Sequence, residues 1–321
     1  MASGGLAFVQ QACGRESREA AMAHIVPNIW CNGNAQEVGD FYAGIFPRTT
    51  SEVESRYPNQ GLLDFQQPLA GEPLTVAVDV NGTKITLVNA DDNFRPNPAI
   101  SFTANFHPAF FGGEPGQTQT ALDQAWQRLS EGGQVMMELD EYEFSPRYGW
   151  VEDRYGVSWQ LTLVDQGETV PQFLTPCLMF CGPAQNHATE AADFYVATFS
   201  DSKPGQRFHY PEANPPVTTE SVMYSDFTLK GQMFSAMDSG VEMAFTFTPG
   251  VSLEVACRDQ SEIDALWEAL SAVPEAEQCG WLTDRFGVSW QIVPQNMGEL
   301  MQRSGAFEKL MGMKKIVIDE F

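Results

Sequence analysis

The sequence predicts an α+β protein in which a β-α-β-β-β module is used four times, twice in each half of the chain. Two observations carry this. The stretch Tyr148 to Leu161, YGWVEDRYGVSWQL, returns as CGWLTDRFGVSWQI from Cys279 to Ile292, with nine of fourteen positions identical and an offset of 131 residues. Such a repeat marks duplication of one structural unit. The offset between matched residues also changes only at particular places: 149 from Pro27 to Pro176, 153 from Asp40-Phe41-Tyr42 to Asp193-Phe194-Tyr195, 141 from Trp126 to Trp267, and 131 at the closing motif. Constant offsets lie inside elements and each jump marks a loop, so the first copy carries insertions around His107 to Gly116 and Val135 to Phe144, and the second lengthens its turn at Cys181 to Gln185.

A chain of 321 residues with 43% apolar and 12% aromatic content supplies cores for two domains. We place them at 22–168 and 172–321, the second ending in a helical tail. Residues 1–21 have no counterpart before the second copy and read as a flexible extension. Arg15, Glu16, Arg18 and Glu19 interrupt it, so it lacks the apolar region of a signal peptide. No apolar run approaches the ~18 residues of a membrane span, which removes the membrane as a partner. Cys13, Cys31, Cys177, Cys181, Cys257 and Cys279 form no CxxC pair; reduced structural thiols in a cytoplasmic protein are expected. A net charge of -24 argues against nucleic acid, because phosphate binding needs clustered Lys and Arg, and serves solubility instead.

Taken in order, His24 to Cys31 reads as a strand, and Asn34 to Phe46 as an amphipathic helix with Val38, Phe41, Tyr42 and Ile45 on one side and Asn34 as N-cap. Strands follow near Thr50 to Tyr57, Leu74 to Val80 and Thr83 to Asn89, the last two joined by Asn81-Gly82, a two-residue hairpin signal. The second module opens with strand Ala99 to Phe106 and helix Thr118 to Glu131, which Gly132-Gly133 ends; strands Val135 to Leu139, Tyr148 to Glu152 and Val157 to Val164 complete it. The same order repeats from Thr175 to Pro294. In the closing strand Val157, Trp159 and Leu161 alternate with Ser158, Gln160 and Thr162, so one face is core and the other polar. That parity predicts buried Trp159 and Trp290, with Gln160 and Gln291 facing the other way. Asp153-Arg154 and Asp284-Arg285 fall at the turn before that strand, where bracing the turn is the expected role.

The proline-opened strands, the Asp-Phe-Tyr helices, the Ala99-Ile-Ser-Phe strand, the tryptophan helices and the closing Gly-Trp-x-x-Asp-Arg-(Tyr/Phe)-Gly-Val-Ser-Trp-Gln together resemble the vicinal oxygen chelate superfamily. This is also called the glyoxalase, bleomycin-resistance and dioxygenase fold. Within it the chain is similar to the PhnB-like branch, labelled 3-demethylubiquinone-9 3-methyltransferase, over residues 24–315. The resemblance implies tandem glyoxalase-like domains, each of two βαβββ modules forming a curled mixed sheet with its helices outside and an open cup for a ligand. Fusion of two such domains makes a covalent pseudo-dimer, and a monomer of that kind or a homodimer is expected.

In metal-dependent members, His and Glu or Gln side chains point into the cup. Counting from the Phe-Tyr pair aligns those slots with Pro27, Asn89, Ala99 and Gln160 in the first copy and Pro176, Asp238, Gly250 and Gln291 in the second. Proline cannot ligate, and this set falls short of the three or four N/O donors that a catalytic divalent ion needs, so no metal is expected. His24, His107, His187 and His209 show no i,i+4 pair and no equivalence between copies. The methyltransferase label requires a glycine-rich turn between strand and helix, and none is present; no cofactor is expected. The expected function is metal-independent binding of a small, partly apolar molecule, with Trp30, Asn89, Ser101, Thr103, Trp150, Gln160, Asp238, Ser252, Glu254, Trp281 and Gln291 as cup-lining candidates. The alternative is a lyase, isomerase or dioxygenase that uses a metal or carboxylates such as Asp238 and Glu254.

Overall fold

The computed structural model describes residues 25–60, 62, 64–113, 115–164 and 169–321; the readings of residues 1–21, Cys13 and His24 lie outside them. The first module is β1 (Ile25–Cys31), α1 (Ala35–Ala43), β2 (Thr49–Arg56), β3 (Pro73–Val80) and β4 (Thr83–Asn89). The second is β5 (Ile100–Phe106), α2 (Pro115–Ser130), β6 (Gln134–Tyr142), β7 (Ser145–Glu152) and β8 (Ser158–Leu163). The third is β9 (Leu174–Phe180), α3 (Ala188–Thr198), β10 (Lys203–His209), β11 (Val222–Leu229) and β12 (Gln232–Asp238). The fourth is β13 (Val251–Cys257), α4 (Gln260–Leu270), β14 (Trp281–Thr283) and β15 (Ser289–Pro294), followed by α5 (Met297–Leu300) and α6 (Ala306–Met311). Among the described residues no helix is long and apolar enough to cross a membrane.

The fold class and its four modules are as the sequence predicts, but the modules do not pair within each half. One sheet runs β14-β15-β13-β1-β4-β3-β2 and joins the first module to the fourth; the other runs β10-β11-β12-β9-β5-β8-β7-β6 and joins the second to the third. The seams are equivalent antiparallel pairs, β1 with β13 (Asn28 opposite Ser252) and β5 with β9 (Ser101 opposite Cys177). Within a half, the modules meet face to face instead. Tyr42 of α1 and Phe46 just after it pack on Trp159 of β8 with ring centroids 5.0 and 4.9 Å away, and Tyr195 of α3 and Phe199 just after it pack on Trp290 of β15 at 5.3 and 5.2 Å. Helices α1 and α3 are thereby held between the sheets, and one continuous apolar core includes residues of both.

Local chemistry explains the joints. Asn81-Gly82 has positive φ at both residues, 52 and 92°, and Lys230-Gly231 repeats this at 49 and 80°, which matches the right-handed twist of the strands they join. Pro27 and Pro176 precede by one residue the parallel ladders that begin at Asn28 opposite Thr86 and Cys177 opposite Ser235, so neither ladder needs their missing N–H. Gly149 of the repeated Gly-Trp lies under Trp126, whose ring a Cβ would approach to 2.5 Å. The β6–β7 hairpin has no full counterpart in the fourth module. There the tail closes the edge, with Cys279 N donating to Met313 O at 2.8 Å and Gly280 N to Lys314 O at 2.7 Å.

Candidate functional site

Strand parity sorts the candidate residues. Ile25 and Ile29 of β1 and Leu253 of β13 face the core, so Asn28, Trp30, Ser252 and Glu254 face the opposite way, into the first cup. Glu254 is level with Gln291 of β15, and Gln291 with Trp281 of β14. The second cup holds the equivalent set. Ser101 and Thr103 of β5 lie beside Ser158 and Gln160 of β8, and Gln160 lies beside Trp150 of β7. The predicted facing holds: Trp159 and Trp290 are wholly buried in the core, and Gln160 and Gln291 point away from it.

Asn89 and Asp238 are corrected, since both sit on the core face. Asn89 Oδ1 accepts the first N–H of α1, from Ala35 at 2.8 Å, and its amide donates to Pro73 O at 2.9 Å. Asp238 accepts the first N–H of α3, from Ala188 at 3.1 Å, and Val222 N at 2.7 Å. Each ties a helix start to the sheet beneath it. Asn34 occupies the N-cap position without a side-chain capping bond, because Asn89 does that work from outside the helix. The slot assignment at Pro27 and Pro176 is likewise one residue out of register. Pro27 lies opposite Leu253 on the core face, and the cup residues are Asn28 and Cys177. Gly250 is excluded on space, since a Cβ there would strike the backbone of Arg95.

The turn aspartates are braces. Asp284 Oδ1 accepts Phe286 N at 2.8 Å and Val288 N at 3.0 Å, while Oδ2 accepts Tyr195 Oη at 2.7 Å and Trp290 Nε1 at 2.8 Å. Asp153 repeats this with Tyr155 N, Val157 N, Tyr42 Oη and Trp159 Nε1. Burial raises both carboxyl pKa values and the four donated bonds pull them down. Because the tyrosine comes from a helix packed on one sheet and the aspartate from the turn before a strand of the other, each brace also fastens the two layers together.

The two cups differ in what occupies their floors. In the second, Tyr148 Oη donates to Gln160 Oε1 at 2.7 Å, Trp150 Nε1 donates to Ser158 Oγ at 2.7 Å, and Gln160 Nε2 donates to Ser101 Oγ at 2.8 Å. Tyr148 and Trp150 are themselves buried, so the rings fill the space over the polar floor. Cys177 lies beneath, wholly buried, and burial raises its thiol pKa against hydrogen bonds from Ser235, Gln160 and Ser101, which keeps it protonated. In the first cup the position of Tyr148 is Cys279, whose Sγ turns to Leu310 O. Trp281, the counterpart of Trp150, packs edge-on against Trp30 at 5.9 Å, and Phe94 packs edge-on against Trp30 at 5.2 Å. Ser289, the counterpart of Ser158, is 2% exposed and has no partner for its hydroxyl among the described residues.

The floor of this first cup is polar: Asn28, Thr86 and Ser252 are buried there, and Glu254 is half-buried. Gln291 Nε2 donates to Ser252 Oγ at 3.0 Å and Asn28 Nδ2 to Glu254 Oε2 at 3.3 Å. Burial raises the Glu254 pKa; Lys84 lowers it, Glu54 raises it, and the Asn28 bond lowers it. Sequence reasoning missed Asn28, Thr86, Cys177, Ser235 and Ser289; a single Asn inside the apolar run of β1 was the available signal. For a metal the donor set does not fit. One carboxylate among neutral amides and hydroxyls is too little for a divalent ion, and among the described residues no group of three or more His, Cys, Asp or Glu is placed to hold a metal ion.

The model of the family 3-demethylubiquinone-9 3-methyltransferase matches residues 23–162 and again 172–293. No curated protein matches the chain. Among solved structures, the PhnB protein from Bacillus cereus is 28% identical over 43% of this chain and 98% of its own, with a TM-score of 0.36. A protein from Pseudomonas aeruginosa is 18% identical over 45% of this chain and 100% of its own, at 0.35. Glyoxalase I from Zea mays is 10% identical over 88% of this chain and 96% of its own, at 0.49. With the family model matched once in each half, the chain belongs to the 3-demethylubiquinone-9 3-methyltransferase family as a tandem duplication.

Proposed function

We propose that the protein binds a small, partly apolar molecule in the first cup, without a metal, and that the second cup is structural. The observation that carries this is the difference between equivalent floors. Tyr148 and Trp150 satisfy Gln160 and Ser158 in the second cup, whereas in the first, with Cys279 in place of Tyr148 and Trp281 turned to Trp30, Gln291 bonds only through its Nε2 and Ser289 Oγ has no partner among the described residues. A buried hydroxyl without a partner costs ~1–3 kcal/mol, a cost the second cup avoids. Polar groups converging beside an aromatic wall are the usual make-up of a small-molecule site.

Glu254 supports a second reading, a carboxylate-dependent lyase or isomerase in the same cup, since a carboxyl group with a raised pKa in a recess suits proton transfer. The methyl transfer in the family's name finds no support in the helix starts that commonly hold nucleotide cofactors, because Asn89 and Asp238 occupy those of α1 and α3. Soaking crystals with a fragment library tests the proposal. Bound fragments should lie over Gln291 and Glu254 in the first cup; fragments found in the second cup with none in the first would overturn it.

A further inference from the structure

We infer that the first cup selects a small organic cation, a protonated amine or amidinium carried on an apolar or aromatic body; this rests on the reading of that cup as the ligand site. The reason is its hydrogen-bonding capacity. Asn28 gives its amide N–H groups to Val26 O at 3.0 Å and Glu254 Oε2 at 3.3 Å, so its oxygen remains. Gln291 gives an N–H to Ser252, so its oxygen remains too, where the equivalent oxygen of Gln160 receives Tyr148. Glu254 adds its second carboxylate oxygen. Among the described residues none of these three oxygens accepts a hydrogen bond, and the buried hydroxyl of Ser289 has no partner either.

The cup therefore offers an excess of acceptors, and an ammonium group presents three donors and no acceptor. Charge points the same way. Lys84, the ammonium that acts on Glu254, is held by Glu54 at 2.6 Å, so among the described residues Glu254 has no direct ion pair to neutralise it. Trp30 and Trp281 are only half-buried and Phe94 is exposed, which leaves ring surface available to a cation, an interaction worth ~0.5–2 kcal/mol. The second cup lacks this character, having Cys177 where the first has Asn28 and Thr103 where it has Glu254. A chain charge of -24 adds long-range attraction for cations.

The test is a titration of the whole protein with benzylammonium, benzyl alcohol and benzoate, three probes alike in shape and different in charge, read on the indole N–H signals of Trp30 and Trp281. Benzylammonium should move both signals with an affinity at least ~10-fold above that of the alcohol, and benzoate should move neither; ~1.4 kcal/mol corresponds to that ratio. Glu254→Gln should reduce benzylammonium binding to the level of the alcohol, with retained dispersion of the other indole signals reporting an intact fold. If the alcohol or benzoate binds there as tightly as the amine, the cation inference is overturned and the ligand cup stands. If no probe moves Trp30 or Trp281, the reading of the cup itself is overturned.

Discussion

Replacing Asp284 with Asn should destabilise the protein by about 2–4 kcal/mol. The carboxylate accepts four bonds, two from the backbone of its turn and two from Tyr195 and Trp290. An Asn whose oxygen keeps the two backbone donors places its NH2 against the Trp290 N–H, donor against donor, while Tyr195 can rotate to accept. One bond to a charged acceptor, ~1.5–3 kcal/mol, is lost outright, the tyrosine bond falls to a neutral one, and a buried N–H is left unpaired. The gain from no longer burying a charge offsets part of this. Urea unfolding gives the number as a shift in midpoint at constant slope. Tyr195→Phe in the same assay should cost ~1.5–3 kcal/mol, since it removes a single donor. A cost below ~0.5 kcal/mol for Asp284→Asn would mean that the residue is already neutral in the folded state, because a neutral carboxyl and an amide make nearly the same bonds, and the brace would then have to be abandoned.

Other expectations use the same comparison of copies. Ser158→Ala removes the acceptor of Trp150 and should cost ~1–3 kcal/mol, whereas Ser289→Ala removes a hydroxyl without a partner and should be neutral or stabilising; equal losses in thermal unfolding would contradict the difference between the cups. Trp290→Ala, at a wholly buried site, should cost ~3–5 kcal/mol by chemical denaturation. Burial alone would raise the pKa of Glu262, but hydrogen bonds from Arg258 and Lys230 hold it at about 2. A depressed carboxyl pKa stabilises fully above the ordinary value of 4.5 and loses that contribution as pH falls toward 2. Stability measured from pH 5 to 2, both taken as about the limits of that window, should therefore fall more steeply in the wild type than in Glu262→Gln.

The repeat made the modules legible, because duplicated residues such as Trp159 and Trp290 sit in the same environment twice. Which modules share a sheet was not legible. Strand order depends on which edges meet, and the edges that meet, β1 with β13 and β5 with β9, belong to modules that alternation along the chain does not pair. The polar reading of strand ends also misled at Asn89 and Asp238: alternation assigns polar residues to the open face, yet helix starts need acceptors from the core side. The prolines drew the slot assignment one residue off, though Ile25 and Ile29 flank Pro27 at the spacing of a core face and leave Asn28 for the other. The exchange of Tyr148 for Cys279 stood in the first position of the repeat, but only the bond from Tyr148 to Gln160 shows what that exchange removes.

The most direct test of an open first cup beside a filled second one is hydrogen exchange at two indoles in the ligand-free protein. Trp150 Nε1–H donates to Ser158 and is buried, whereas Trp281 makes no such bond and is only half-buried. Exchange at Trp150 should be slow, limited by opening of the sheet, and exchange at Trp281 fast. Equal protection, or slower exchange at Trp281, would show the first cup to be filled as the second is and would contradict the assignment of the ligand site.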